Sequence, residues 1–186
     1  VLDEAVVERV NDLGTVIWSG TTYRHASAAF DGLSGRGAVV HGGRWNPPDS
    51  FETLYLATPV VTCMAELERL AAAQSLDPVD LLNARRPRML HTITVHEAAV
   101  LDLRSDAALA SVGLERADIT DDDWSGCQAI GHAAHFLGHG GVLAPSATGD
   151  GLVLAAFESR LDPDQLSLTE SVQLTEDLYR ELISPT

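Results

Sequence analysis

Three observations predict an α+β fold. Strand-like runs of β-branched and aromatic residues mix with helix-periodic runs, but without the regular alternation of a doubly wound parallel sheet. The 186 residues are 45% apolar, enough to bury one substantial core, so a single domain over 1–186 is expected. No internal repeat appears, and no apolar run approaches the roughly 18 residues of a membrane span.

The elements follow in chain order. Leu2 to Leu13 is amphipathic, with Asp3 as N-cap and Gly14 as stop. Thr15 to His25 (TVIWSGTTYRH) reads as one or two strands broken near Gly20. Residues 26–40 are glycine-rich and read as a surface loop; the GLSGRG spacing is not a dinucleotide fingerprint. Gly42 and Gly43 then allow close backbone approach, and Asn46-Pro47-Pro48-Asp49 sets an extended bend. Thr53 to Ala57 is a short strand. Thr58 is expected to cap a helix that has Pro59 at its first position and runs to about Gln74. Val60, Met64, Leu67 and Ala71 form its apolar stripe, and Glu66 and Glu68 fall on opposite borders of it. Periodicity does not choose between those two glutamates.

Residues 75–88, with Arg85, Arg86 and Arg88, read as a solvated loop. Met89–Val95 and Ala99–Leu103 look like a pair of strands. Ser105 caps a short helix that Gly113 ends. Asp121 to Asp123 suit the N-terminus of a helix running from Trp124-Ser125 to about Leu137. Residues 140–146, 152–158 and 165–173 read as strands, and 176–183 as a final helix.

Charge and composition exclude several functions. The net charge of −15 argues against direct nucleic-acid binding. All 12 basic residues are arginine, which removes a P-loop lysine, a Schiff-base lysine and a Ser–Lys dyad. Any anion must then be held by arginine or a protonated histidine. The start, VLDEAVVERV, lacks the basic and apolar regions of a signal peptide. Cys63 and Cys127 form no CxxC pair and are expected to be buried thiols in a reducing cytoplasm. There is no GxSxG elbow. His132, His135 and His139 have a spacing that could bind zinc. Gly138 and Gly140 break the helix before His139, however, and no fourth ligand stands nearby, so no metal is expected. Arg24, Arg44, Tyr55 and Glu66, if convergent, would suit a ligand with phosphates, an aromatic ring and a reacting sugar. Arginine would clamp phosphate, tyrosine would stack, and a carboxylate would stabilise an oxocarbenium-like centre.

Several motifs carry a family resemblance: TYR at Thr22–Arg24, GGRWNPP at Gly42–Pro48, LYLA at Leu54–Ala57, CMAELER at Cys63–Arg69, APSA at Ala144–Ala147 and the late LVLAAFE run. With these the chain resembles the RES-domain toxins of bacterial toxin–antitoxin pairs, over nearly its whole length. It looks most similar to the actinobacterial NAD-degrading type. The resemblance implies an ADP-ribosyltransferase-like fold, a small split β core with flanking helices. It implies cleavage of the nicotinamide–ribose bond of NAD by inorganic phosphate, giving nicotinamide and ADP-ribose-1″-phosphate, with no added cofactor. Growth inhibition would follow from NAD loss. A cognate helix-turn-helix antitoxin would block the active site, in a toxin–antitoxin hetero-oligomer. Carried over residue by residue, Arg24 and Arg44 would bind the diphosphate or the incoming phosphate, Tyr55 would line the nicotinamide–ribose site, and Glu66 would stabilise the cationic sugar. Tyr23, Trp45 and His132 are further candidates for substrate contact. Two serines stay open: Ser146 in APSA, and Ser125 at a helix start. The alternatives are transfer of ADP-ribose to a macromolecule, suggested by Glu66-Leu67-Glu68, hydrolysis by water, and a non-catalytic interaction domain.

Overall fold

The computed structural model describes residues 2–184. Helix α1 (Glu4–Leu13) starts where the Asp3 carboxylate accepts the Ala5 N–H at 2.9 Å and ends at Gly14, φ +70°. It is followed by β1 (Val16–Ser27), α2 (Arg36–His41), β2 (Thr53–Thr58), α3 (Val60–Ala73), a 3₁₀ turn (Pro78–Leu81) and β3 (Arg88–Asp102). Then come α4 (Asp106–Val112), α5 (Arg116–Thr120), α6 (Ser125–Phe136), β4 (Gly141–Pro145), β5 (Leu152–Phe157), β6 (Leu166–Gln173) and α7 (Glu176–Ile183). The class is α+β, as expected. Among the described residues no helix is long and apolar enough to cross a membrane.

The six strands form one mixed sheet in the order β1-β2-β5-β4-β3-β6, and β1 also pairs with β3. The partners therefore close a ring, β1-β2-β5-β4-β3-β1, with β6 hung on the outer edge of β3. All pairings are antiparallel except β3–β4. The ring is weakest between β1 and β2, which meet only at Tyr23 and Ala57.

Strand periodicity sorts side chains to the two faces of this ring. Leu54 and Leu56 of β2, Ile93 and Val95 of β3, Leu143 of β4 and Leu154 of β5 fill its interior. On the other face, Val142, Ala144, Ala155 and Phe157 pack beneath α1, α4 and α6. A third cluster, with Met64, Leu67, Leu90, Leu174 and Tyr179, joins α3 and α7 to the sheet. The expected apolar stripe of α3 is buried at Met64, Leu67 and Ala71.

Some local expectations are corrected. Thr58 does not cap α3: it is still paired to Leu152 in the β2–β5 ladder, so the helix starts at Val60 with Pro59 before it and no side-chain cap. The 26–40 stretch is not all loop, because α2 begins at Arg36. Gly35, where a Cβ would collide with the Thr53 backbone, presses that segment against β2, and its N–H is taken by Glu158 at 3.0 Å. The expected strands 89–95 and 99–103 are one continuous strand, β3, because β1 pairs along almost all of it, with a register shift between the Trp18–Ala98 and Gly20–Val95 pairs. Helix α5 carries no periodic signal at five residues and was not anticipated.

Candidate active site

A cavity of about 550 Å³ opens where β1 and β2 diverge. Its walls come from β1 (Tyr23, Arg24, His25), the 42–45 turn, β2 (Tyr55), α3 (Cys63, Glu66, Arg69), Arg88 at the start of β3, and Trp124 before α6. Glycine, proline, strand and helix signals spread over 41–66 thus converge on one wall.

The turn carrying Arg44 is braced from two sides. The Trp45 N–H donates to Tyr55 Oη at 2.9 Å, and Tyr55 Oη–H donates to Asn46 Oδ1 at 2.7 Å. Gly43 lies against that phenol so closely that a Cβ would overlap it, and Gln128 of α6 donates to the Gly43 carbonyl at 3.0 Å. Burial pushes the Tyr55 hydroxyl well above its ordinary range, so it stays a neutral donor and acceptor. Tyr55 borders the cavity as expected, with its polar end spent on the turn. Trp45, a candidate for substrate contact, borders the cavity but is only 2% exposed, packed in the core beneath α6.

Arg44 is 8% exposed. One terminal nitrogen donates to the carbonyls of Asp118 and Asp121, both at 3.0 Å. Its guanidinium stacks over Trp124, 5.5 Å from the ring centroid. The other terminal nitrogen is buried without a protein acceptor. Burial also lowers its proton affinity, although arginine remains charged. Arg24, by contrast, has both terminal nitrogens committed, to Gly32 O at 2.6 Å and Ser34 O at 2.9 Å, where they pin the glycine-rich loop.

The two glutamates of α3 part company. Glu66 faces the cavity and accepts from Ser146 Oγ at 2.6 Å. Glu68 turns to the other side and accepts from Tyr179 of α7 at 2.7 Å. Ser146 is 2% exposed and also bonded to the Thr148 hydroxyl and N–H, so its hydroxyl is fixed. Ser125, the first residue of α6, is exposed; its N–H donates to Asp123, and it lies next to Trp124 rather than on the cavity wall. His132 stands away from the cavity, 6.1 Å from the Phe51 ring, and His135 stacks on that ring at 3.9 Å. The α6 helix stops at Phe136, and among the described residues no three histidine, cysteine or acidic side chains gather as a metal site.

Sequence reasoning missed Trp124, Arg69, Arg88 and His25 as wall residues. Arg69 had a usable signal, since it follows Glu66 by three residues on one helix. Arg88 had none: it sits beside the exposed Arg85 and Arg86 and is set apart only by being the first residue of β3. Both cysteines are buried free thiols, and burial raises Cys63 to about 12 and Cys127 to about 11, so neither offers a thiolate at neutral pH. The cavity therefore holds one carboxylate, four arginines and an aromatic face. That arrangement suits a phosphorylated ligand whose reacting centre gains positive charge.

The chain is similar to known proteins over nearly its whole length. The RES domain family model matches residues 17–176. The NAD(+) phosphorylase MbcT of Mycobacterium tuberculosis is 52% identical over 181 residues, covering 97% of this chain and 96% of that protein. MbcT of Mycobacterium bovis matches to the same extent. A chain of the crystal structure of the M. tuberculosis MbcT–MbcA toxin–antitoxin complex superposes with a TM-score of 0.92 at 51% identity, covering 98% of this chain and 99% of that one.

Proposed function

This chain belongs to the RES domain family, and on that footing we propose that it is an NAD phosphorylase acting as the toxin of a toxin–antitoxin pair. The observation that carries the reading is a single carboxylate, Glu66, held by the buried Ser146 in a cavity with arginines at its walls. The 52% identity to an NAD(+) phosphorylase over nearly the whole chain supports it.

The chemistry follows from the residues present. The nicotinamide of NAD is a pyridinium, so it leaves with the C1″–N bond pair and becomes neutral. No general acid is required, and no further cofactor. What the site must supply is stabilisation of the cationic ribose. The Glu66 carboxylate provides that, preorganised by the Ser146 hydrogen bond. A phosphate oxygen then forms the new bond at C1″, giving ADP-ribose-1″-phosphate. Arg44 and Trp124, stacked together on the cavity wall, suit the diphosphate and a ring of the dinucleotide. Arg24 acts chiefly by holding the 32–34 loop, and Tyr55 by holding the Arg44 turn. Tyr23 lines the cavity, and Ser125 follows the wall residue Trp124.

Transfer of ADP-ribose to a macromolecule is the weaker reading, because the second glutamate it would use is turned onto Tyr179. The fold assignment we favour is ADP-ribosyltransferase-like, supported by the nearly parted β1–β2 junction at the cavity. We further propose that the chain acts as one domain in the cytoplasm, where NAD is found. Its partner would be a helix-turn-helix antitoxin that fills the cavity mouth within a hetero-oligomer; the MbcT–MbcA relative supports an antitoxin partner. Mass spectrometry of NAD incubated with the purified protein tests the reading. ADP-ribose phosphate and nicotinamide are expected with phosphate present. ADP-ribose alone, or label on a macromolecule, would overturn it.

A further inference from the structure

Arg44 and Arg88, both on the cavity wall, have different neighbours. Arg44 stacks on Trp124 and feels the charges of both Glu66 and Arg69. Arg88 donates Nε–H to His25 Nδ1 at 3.3 Å, beside Cys63. Glu66 stands three residues beyond Cys63 on α3, and its charge is felt by both Cys63 and Arg44.

Arg88 has unused donors. Both terminal nitrogens of Arg88 lack an acceptor among the described residues, and Arg88 joins none of their ion pairs. Those nitrogens are not sealed off by protein. With Nδ1 accepting from Arg88, a neutral His25 carries its proton on Nε2 and orients the guanidinium, leaving the terminal nitrogens of Arg88 free. Burial, with the charges of Arg88 and Arg24 adding to it, holds that imidazole neutral by moving it to about 3. Ala57, Cys63 and Tyr23 line the same cavity, and the Tyr23 ring packs with the α3 cluster. This end offers donors and a net charge but no free aromatic face, which fits a small tetrahedral anion better than a nucleotide.

We propose that Arg88, positioned by His25, forms the seat of the inorganic phosphate acceptor, separate from the Arg44–Trp124 end that holds the dinucleotide. The inference rests on the phosphorolysis reading. The two terminal nitrogens of Arg88 hold a phosphate dianion by its oxygens, while His25 orients the guanidinium through Nδ1. One oxygen bonds to C1″ as the C1″–N pair departs on nicotinamide, and the phosphate's own proton stays on the product ester. Guanidinium charge offsets the repulsion between Glu66 and the incoming dianion.

The test is steady-state kinetics with phosphate and NAD varied independently, for the wild type, Arg88→Gln and Arg88→Lys. For Arg88→Gln the KM for phosphate should rise about 10-fold or more while the KM for NAD moves less than about twofold. Arg88→Lys, which keeps the charge but loses the fork, should fall between. A rise confined to the KM for NAD, or no change in either, overturns the proposal. A wild type whose NAD consumption ignores phosphate overturns the phosphorolysis reading itself. Thermal melts in increasing phosphate without NAD give an activity-independent readout. The wild type should gain melting temperature and Arg88→Gln should gain markedly less; equal gains count against the site. If Arg88→Gln does not fold, Arg88→Lys and His25→Asn carry the same comparisons.

Discussion

Glu66 and Tyr55 both border the cavity, yet the protein spends their polar atoms differently. Glu66 receives one hydrogen bond from Ser146 and otherwise faces the cavity, whereas Tyr55 gives both its donor and its acceptor capacity to the 45–46 backbone and side chain. Glu66→Gln should therefore lower kcat about 100-fold or more in an NAD-consumption assay, with melting temperature nearly unchanged. Unaltered turnover would remove Glu66 from the chemistry. Ser146→Ala should cost turnover less, and add little on top of Glu66→Gln, because it acts through the same carboxylate; additive losses in that double-mutant cycle would give Ser146 an independent role. Tyr55→Phe should cost about 1–3 kcal/mol in urea unfolding, since the Trp45 N–H and the Asn46 carboxamide lose a buried partner. No change in stability would mean that the Arg44 turn holds without it.

At the scale of elements, α6 supports the turn that carries Arg44. Its Gly131 meets the Trp45 carbonyl so closely that a Cβ cannot be placed there. Gly131→Ala should force helix and turn apart, destabilise the fold by about 1–3 kcal/mol and raise the KM for NAD by shifting Arg44. A normal KM in a folded variant would show that the turn adjusts independently. The same helix carries His135, stacked on Phe51 and lowered by burial to about 4. The unfolded chain takes up that proton below about pH 6.5, but the folded protein does not until about pH 4. Stability from this site is complete above 6.5 and lost as pH falls through that window. His135→Phe should make the loss between pH 6.5 and 4 shallower in chemical denaturation, and an identical slope would exclude this residue as a cause. The 53–66 segment shows how local signals become a wall. Its strand and helix were legible from the β-branched and apolar patterns, but Thr58 looked like a cap and remained in the ladder with Leu152, because sheet pairing outweighed a local preference.

For the whole molecule, a net charge of −15 and a cavity walled by four arginines pull in opposite directions. The surface repels both NAD and phosphate at long range, while the cavity attracts them over the last few ångströms, where screening is weak. Self-repulsion should also ease with salt. Raising NaCl from about 0.05 to 0.5 M should increase the melting temperature, and a fall would show that surface ion pairs outweigh the excess of negative charge. An acidic surface around a basic cavity also leaves room for a protein partner to read the rim and the interior by different charges.

Short-range physics made much of this protein legible in its sequence. Asp3 with Gly14, Ser105 with Gly113, and the strand and helix periods of 152–157 and 176–183 are each written within a few neighbouring residues, and each element appears where those residues put it. The motifs at 42–66 also marked where one wall of a site would form. Only the tertiary structure decided which groups meet in it. Glu66 is distinguished from Glu68 by Ser146, 80 residues later, and Arg88 from Arg85 and Arg86 by its place at the head of a strand paired with β1 and β6. Arg24 borders the cavity, but its terminal nitrogens are taken by two loop carbonyls that no periodicity reports. Such pairings depend on how the closed ring of strands brings distant backbone together, which a local pattern does not encode.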